Sequence, residues 1–156
     1  MSDINQSNNH ILKLENQICF PLYATSRLVI QLYQPLLDKI GLTYPQYLVM
    51  MILWEEDDIP IKVISEKLLL NTNTLTPLLK RMEKNGLITR RKCALDERKM
   101  KIKLSDMGKK LEDKARNVPQ HLQESLSDSP VSKEDLDQLK DTLTKLMEYI
   151  ENIKLK

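Results

Sequence analysis

The stretch IKVISEKLLLNTNTLTPLLKRMEKNGLITRRKCALDERKMKIKL, residues 61–104, decides the fold. Its first half contains two runs of apolar residues at helical spacing, separated by a short polar turn at residues 70–73. Its second half contains two short strand patterns, residues 87–92 and 99–104, joined by a loop. Two helices around a turn, followed by a hairpin, predict a winged helix-turn-helix, which is a DNA-binding arrangement.

Positive charge is concentrated in the same stretch. Residues 80–103 contain ten basic and three acidic side chains and carry +7, whereas the whole chain carries only +2. In residues 99–104, Met100, Ile102 and Leu104 alternate with three lysines, which is typical of a half-buried strand with a basic outer face. A basic segment on an otherwise acidic chain indicates nucleic-acid binding.

The start of the second helix is predicted to read base edges in the major groove, because polar side chains cluster there and a helix N-terminus also favours phosphate. These base-reading residues are Asn71, Thr72, Asn73, Thr74 and Thr76. Lys80 and Arg81, further along the helix, are expected to meet the DNA backbone.

The hairpin is expected to project Arg90, Arg91, Lys92 and Arg98 toward DNA. An arginine near the tip suits the narrow minor groove, where the potential is most negative. Asp96 lies two residues before Arg98, so we expect its carboxylate to hold that guanidinium. The alternative for the whole block is a helical domain with a charged surface hairpin, and the spacing, capping and basic alternation together argue against it.

Helices are predicted on both sides of this block. They cover residues 14–40, 44–56, 106–126 and the segment from 132 onward. Pro21 and Pro35 are expected to kink or break the first of them, and Pro119 is expected to kink or split the third. Thr43 and Ser132 are predicted N-caps, and either Asn71 or Asn73 is expected to cap the second helix of the block 61–104.

Composition excludes several classes of protein. With 156 residues, 41% of them hydrophobic, the chain fits one globular domain. It contains no run of about 20 apolar residues, and residues 1–10 lack the apolar region of a signal peptide, so we expect a cytoplasmic protein without membrane contact. The two cysteines and two histidines are not clustered at metal-binding spacing, so no metal or cofactor is expected.

The order of these elements resembles the MarR family of winged-helix regulators, in particular its organic-hydroperoxide-sensing, OhrR-type branch. The resemblance covers residues 14 to about 115. It is carried by LENQICF (14–20), YQPLLDK (33–39), LTYPQYL (42–48), TLTPLLKRME (74–83) and DER (96–98), in that order.

The resemblance implies a mainly α fold with a small β-hairpin wing and a homodimeric repressor on a pseudo-palindromic operator in double-stranded DNA. It also implies that the N- and C-terminal helices form the dimer. On this basis residues 1–40 and 106–156 are assigned to dimerisation and 41–105 to the DNA-binding lobe, in one intertwined domain.

The resemblance further implies that Cys19 is a thiol oxidised by organic hydroperoxides, with Tyr33 and Tyr44 donating hydrogen bonds to its sulfur. On spacing alone, Cys19 reads as a small buried hydrophobic residue. In a continuous helix, Cys19 and Tyr33 would lie roughly 21 Å apart. Either Tyr33 comes from a partner chain, or the prolines fold the segment back.

Three features depart from the branch. Its two-cysteine members carry the second cysteine in the C-terminal helices, whereas Cys93 lies in the wing, so Cys19 is expected to act alone with a small thiol as its cap. Pro21 lies two residues after Cys19 and puts the peroxide preference in doubt. Residues 71–73 read Asn-Thr-Asn where the branch tends toward Asp-Ser-Gly, so the operator sequence is not transferable.

Other functions remain open at this stage. The principal alternative is a MarR-type regulator controlled by a phenolic or anionic ligand that binds between the first helix and the DNA-binding lobe. An enzyme, such as a thiol peroxidase using Cys19, lacks a second catalytic group in the sequence, so no enzymatic activity is expected. A non-specific architectural DNA binder is the third alternative.

Overall fold

The computed structural model describes residues 11–93 and 96–154, with backbone alone at residues 96–98 and 154. The chain forms two compact units, Met1–Leu122 and Gln123–Lys156. The elements in chain order are a 3-10 turn (Leu14–Asn16), α1 (Cys19–Asp38), α2 (Tyr44–Glu55), β1 (Ile59–Pro60), α3 (Ile61–Leu68), α4 (Thr72–Lys84), β2 (Ile88–Cys93), β3 (Asp96–Leu104), α5 (Asp106–Ala115), α6 (Val118–Ser125) and α7 (Lys133–Lys154).

Helix α1 corrects the expectation that prolines break it. It is a continuous helix of 20 residues, preceded by the 3-10 turn rather than starting at Leu14. Pro21 lies in the first turn, where the missing N–H would have no partner within the helix in any case. Pro35 lies inside the helix near its end without terminating it. The chain turns at Gly41, whose φ of 71° suits glycine.

The helix-turn-helix of α3 and α4 confirms the sequence prediction. Helix α3 ends at Leu68, and the next residue, Leu69, adopts a left-handed conformation with φ 54°. Helix α4 is capped by Asn71, one of the two residues expected there, because its side chain accepts a hydrogen bond of 2.9 Å from the backbone N–H of Thr74. At the start of α2, the backbone N–H of Thr43 donates to Gln46 Oε1 over 2.9 Å.

The wing is longer than predicted and has a third strand. β2 and β3 pair in antiparallel orientation, with Ile88 opposite Leu104 and Arg90 opposite Ile102, and a register shift falls between Lys92 and Cys93. β1 pairs with the other side of β3, which gives the strand order β1-β3-β2. Two residues are too few to produce an alternating pattern, so β1 was not predicted.

The core of the first unit joins the helix-turn-helix to the sheet and to the end of α1. The largest side chains with almost no exposure are Leu37, Met50, Leu53, Ile64, Leu75, Leu79, Met82, Ile88 and Ile102. On α4 the buried side chains recur at helical spacing, so one face of this helix is fixed against the core while its other face remains available.

The predicted third flanking helix is split, as expected near Pro119. Helix α5 ends at Ala115 and α6 starts at Val118, so Pro119 occupies the first turn of α6. In the second unit, Ser132 caps α7: its hydroxyl accepts from the Asp135 backbone N–H over 3.1 Å. Within the described residues, the helices lack the combination of length and apolar character needed to cross a bilayer.

Gly108 is expected to tolerate no side chain. A Cβ at this position would lie 2.2 Å from the carbonyl oxygen of Leu87, which is backbone and has little room to move. We expect Gly108→Ala to lower the free energy of unfolding by about 2 kcal/mol because of this overpacking. Urea unfolding of Gly108→Ala and of the exposed neighbour Lys109→Ala measures the effect, and equal stability of the two variants would contradict it.

Candidate nucleic-acid interface and thiol site

The first turn of α4 presents polar side chains to solvent. Asn71, Thr72, Asn73 and Thr74 are exposed and Thr76 is half-buried. Asn71 Oδ1 also accepts from Thr74 Oγ1 over 3.0 Å, so these two side chains cap the helix and hold each other. Thr72 and Asn73 are therefore the residues of this turn with the most freedom to meet a base edge.

The rest of the exposed face of α4 is basic. Lys80 and Arg81 are exposed, and neither is paired with a carboxylate among the described residues. Both lie beyond the first turn, on a helix whose apolar face is buried. Cations placed in this way suit the phosphates that flank a major groove.

A concave groove of about 500 Å³ lies between α3, the start of α4 and the wing. Its polar lining includes Thr72 and Thr76 of α4 and three cationic side chains, Lys62, Arg90 and Lys99. Lys62 pairs with Glu66 over 3.6 Å, so part of the positive charge of this groove is compensated within the protein.

Arg90 is engaged by an acidic side chain of α4. Its Nε lies 2.7 Å from Glu83 Oε2, and its backbone N–H donates to Glu83 Oε1 over 3.0 Å. The hydrogen bond from the Arg90 side chain holds the pKa of Glu83 below its usual value. The structure thus places this predicted DNA-binding residue in an internal ion pair.

Arg91 is engaged by Asp58, which precedes β1. Its Nε donates to Asp58 Oδ1 over 3.2 Å, its Nη2 contacts Asp58 Oδ2, and Lys101 Nζ lies 3.5 Å from the same Oδ2. The hydrogen bond from Arg91 holds the pKa of Asp58 below its usual value. The predicted wing-tip side chains of Asp96 and Arg98 lie outside the described residues.

In the single chain, Cys19 lies apart from the two tyrosines of the predicted thiol site. Cys19 is exposed at the start of α1, whereas Tyr33 and Tyr44 contact each other with ring centroids 5.0 Å apart. Burial raises the pKa of both tyrosines, and the neighbouring Tyr44 raises that of Tyr33 further. Because α1 is continuous, Cys19 lies roughly 21 Å from Tyr33 along the helix.

Two further aromatic residues belong to this cluster and were not predicted as part of the site. The ring of Tyr47 lies 6.1 Å from that of Tyr33 and 6.3 Å from that of Trp54. Their helical spacing on α2 gives them one shared face, which is the signal in the sequence. Cys93, the other free cysteine, is half-buried on β2 beside the register shift.

Comparison with known proteins identifies the family. The family described as transcriptional regulator SarA/Rot matches residues 31–115. The organic hydroperoxide resistance transcriptional regulator of Bacillus subtilis is 49% identical over 139 residues, which cover 89% of this chain and 92% of that protein. The chain is a MarR-type winged-helix transcriptional regulator.

Two more relatives extend this result over nearly the whole chain. The HTH-type transcriptional regulator MgrA of Staphylococcus aureus is 35% identical over 151 residues, covering 96% of this MarR-type chain and 99% of MgrA. The structure of reduced AbfR bound to DNA superposes with a TM-score of 0.75 at 32% identity, covering 98% and 99% of the two chains. The fold and family predicted from the sequence are thereby confirmed.

Proposed function

We propose that this protein is a DNA-binding repressor that acts as a homodimer and releases a pseudo-palindromic operator when Cys19 is oxidised by an organic hydroperoxide. The observation that carries the DNA-binding half is the exposed polar first turn of α4, followed on the same helix by the exposed cations Lys80 and Arg81. The redox half is supported by the relative named for organic hydroperoxide resistance and by AbfR, a DNA-bound neighbour described as reduced.

The proposed division of labour on DNA follows the geometry of α4. Thr72 and Asn73 read base edges, because their side chains are exposed at the helix start and are not needed for the cap. Lys80 and Arg81 neutralise phosphates along the same helix. Each protomer of a two-fold dimer would place one such helix in the major groove, about one helical turn of DNA from the other.

Exposed apolar stripes support a homodimer. On α1, Phe20, Leu28 and Leu32 are at least 40% exposed in the single chain, and α7 in the second unit exposes a second stripe. The members of the α7 stripe are Leu136, Leu139, Leu146, Ile150 and Ile153. Apolar surface of this extent on two helices is typical of an interface, and we assign both stripes to contacts with a second copy.

The redox site is proposed to form across this interface. Cys19 cannot reach Tyr33 of its own continuous helix, so the tyrosines that donate to its sulfur come from the partner. A site shared between protomers connects oxidation directly to the dimer geometry that sets the spacing of the two α4 helices.

The chemistry at Cys19 is a two-electron oxidation. The thiolate attacks one peroxide oxygen, an S–O bond forms, and the O–O bond breaks so that the organic group leaves as an alcohol after taking up a proton. The resulting sulfenic acid condenses with a small thiol, which forms a disulfide and releases water. Since each protein thiol reacts once, Cys19 works as a switch rather than as an enzyme. We place the protein in the cytoplasm, where the chromosome lies.

Cys19→Ser is expected to bind operator DNA within about twofold of the unaltered protein, because an exposed residue is exchanged for one of similar size. Release by an organic hydroperoxide is expected to be abolished, since serine is not oxidised under these conditions. A mobility shift on the upstream DNA of its own gene, with and without cumene hydroperoxide, measures both quantities. Cys93→Ser is the matched control and should still release DNA when cumene hydroperoxide is added. Release of DNA by the Cys19→Ser protein under the same conditions would contradict the redox proposal.

A mixed dimer tests whether the site is shared. In a dimer of one Cys19→Ser and one Tyr33→Phe chain, the remaining Cys19 faces an intact Tyr33 only if the tyrosine comes from the partner. We expect this thiol to oxidise at the unaltered rate, and the Tyr33→Phe homodimer to oxidise roughly tenfold more slowly, because a hydrogen bond to the thiolate is lost. Mass spectrometry of purified mixed dimers follows the sulfenic acid; a rate equal to that of the Tyr33→Phe homodimer would place the site within one chain.

A second candidate function is control by a non-covalent anion. A pocket of about 510 Å³ between the end of α1 and α5 has an apolar floor of Ile40, Met107 and Leu111. Three lysines, Lys39, Lys110 and Lys114, line the same pocket. This combination suits an aromatic carboxylate, whose ring covers the floor while its charge meets the lysines.

Benzoate is the probe for this second candidate. If the pocket is a regulatory site, millimolar benzoate raises the melting temperature of the reduced protein and of Cys19→Ser alike, because ligand binds the folded state only. The paired change Lys110→Gln with Lys114→Gln should remove the shift. An unchanged melting temperature in the unaltered protein rejects this function and leaves the redox proposal in place.

A further inference from the structure

Two consecutive arginines of the wing lie on opposite faces of β2. Arg90 pairs across the sheet with buried Ile102, and its side chain is directed toward α4. Arg91 pairs with Lys101, on the face where Asp58 lies. Side chains alternate between the two faces of a strand, so the same piece of backbone carries a guanidinium on each side.

Arg90, the arginine that faces α4, is held by two hydrogen bonds. Glu83, in the last turn of α4, accepts both from Arg90 Nε over 2.7 Å and from the Arg90 backbone N–H over 3.0 Å. The side chains of Arg90 and Glu83 are only 21% and 36% exposed. Because the second bond is to the backbone, Glu83 fixes the position of the strand itself relative to α4.

Arg91, on the opposite face of β2, is held by Asp58 in the loop before β1. Asp58 receives both Nε and Nη2 of Arg91 and also contacts Lys101. The loop is anchored by Asp57, whose Oδ1 accepts from the backbone N–H groups of Asp58 over 2.8 Å and of Leu104 over 2.7 Å. Asp58 therefore contacts side chains of both β2 and β3, and the loop that carries it is itself hydrogen-bonded to β3.

We propose that Glu83 and Asp58 form a two-sided clamp that sets the angle of the wing relative to α4, with Arg90 and Arg91 as positioning residues rather than phosphate contacts. This revises the role that the sequence predicts for both arginines, and it rests on the proposed DNA binding. Nε of Arg90, and Nε and Nη2 of Arg91, already bind a carboxylate, so a phosphate at either arginine would compete with that carboxylate and be repelled by it.

Salt dependence separates positioning from phosphate contact. A residue that neutralises a phosphate releases counterions on binding, so affinity falls as salt rises. Removing such a residue lowers the magnitude of the slope of log affinity against log salt by about 1. All changes in slope below are changes in this magnitude. A positioning residue changes the affinity and leaves that slope unaltered. Members of one clamp also behave as a unit, so their effects are not additive.

The experiment measures operator affinity at several salt concentrations for the full chain and its variants. Arg90→Gln, Glu83→Gln and the double variant are each expected to weaken binding by a similar factor, roughly tenfold, with the slope of the unaltered protein. Lys80→Gln is the matched control and should lower the slope by about 1. Hydroxyl-radical footprinting should show that the clamp variants lose protection in the outer minor groove and retain it around the major groove bound by α4.

A charge-reversed pair, Glu83→Arg with Arg90→Glu, should regain part of the lost affinity, which simple loss of folding would not allow. If Arg90→Gln does not fold by circular dichroism, Asp58→Asn and Arg91→Gln on the other face are judged by the same criteria. The clamp is overturned if the arginine variants lower the slope by about 1 while the acidic partners bind normally. Absence of operator binding by the unaltered protein would instead overturn the proposed function on which the clamp rests.

Discussion

Burial of one face of α4 is the interaction on which the rest of the structure depends. Leu75, Leu79 and Met82 have almost no exposure, and they belong to the core that holds the helix against α2, α3 and β2. With that face committed to the core, the polar first turn and the basic side of α4 face outward. Apolar packing thus fixes the direction of the face that we propose reads DNA, without any contribution from the polar residues themselves.

The continuous helix α1 imposes the second constraint. Its end carries Leu37 into the core beside the helix-turn-helix, while its start carries Cys19 to the surface, 18 residues away in one rigid element. A thiol on such a helix meets the Tyr33–Tyr44 cluster only through a second chain. The proposed redox control and the proposed homodimer are therefore one hypothesis, since oxidation at a shared site acts on the arrangement of the two DNA-reading helices.

Local features were predictable because local sequence sets them. The caps at Asn71 and Ser132 follow from side chains that bond backbone N–H groups three residues away. A kink or break in α1 was expected at Pro21 and Pro35, but the helix is unbroken: Pro21 lies in the first turn, where a proline is tolerated, and Pro35 lies close to the end of the helix. The strand β1 was missed because two residues carry no periodicity and are held by partners about 40 positions away.

By itself, the sequence determined the helix-turn-helix, the alternating basic strand and the concentration of charge, since each is encoded within a few residues. Only the tertiary structure decided which carboxylates the arginines of the wing meet. Arg91 meets Asp58 across 33 positions, and Arg90 meets Glu83 on a neighbouring element. A count of charges cannot separate an arginine free for phosphate from one already bound to a carboxylate, because that depends on which acidic residues the fold brings within hydrogen-bonding distance.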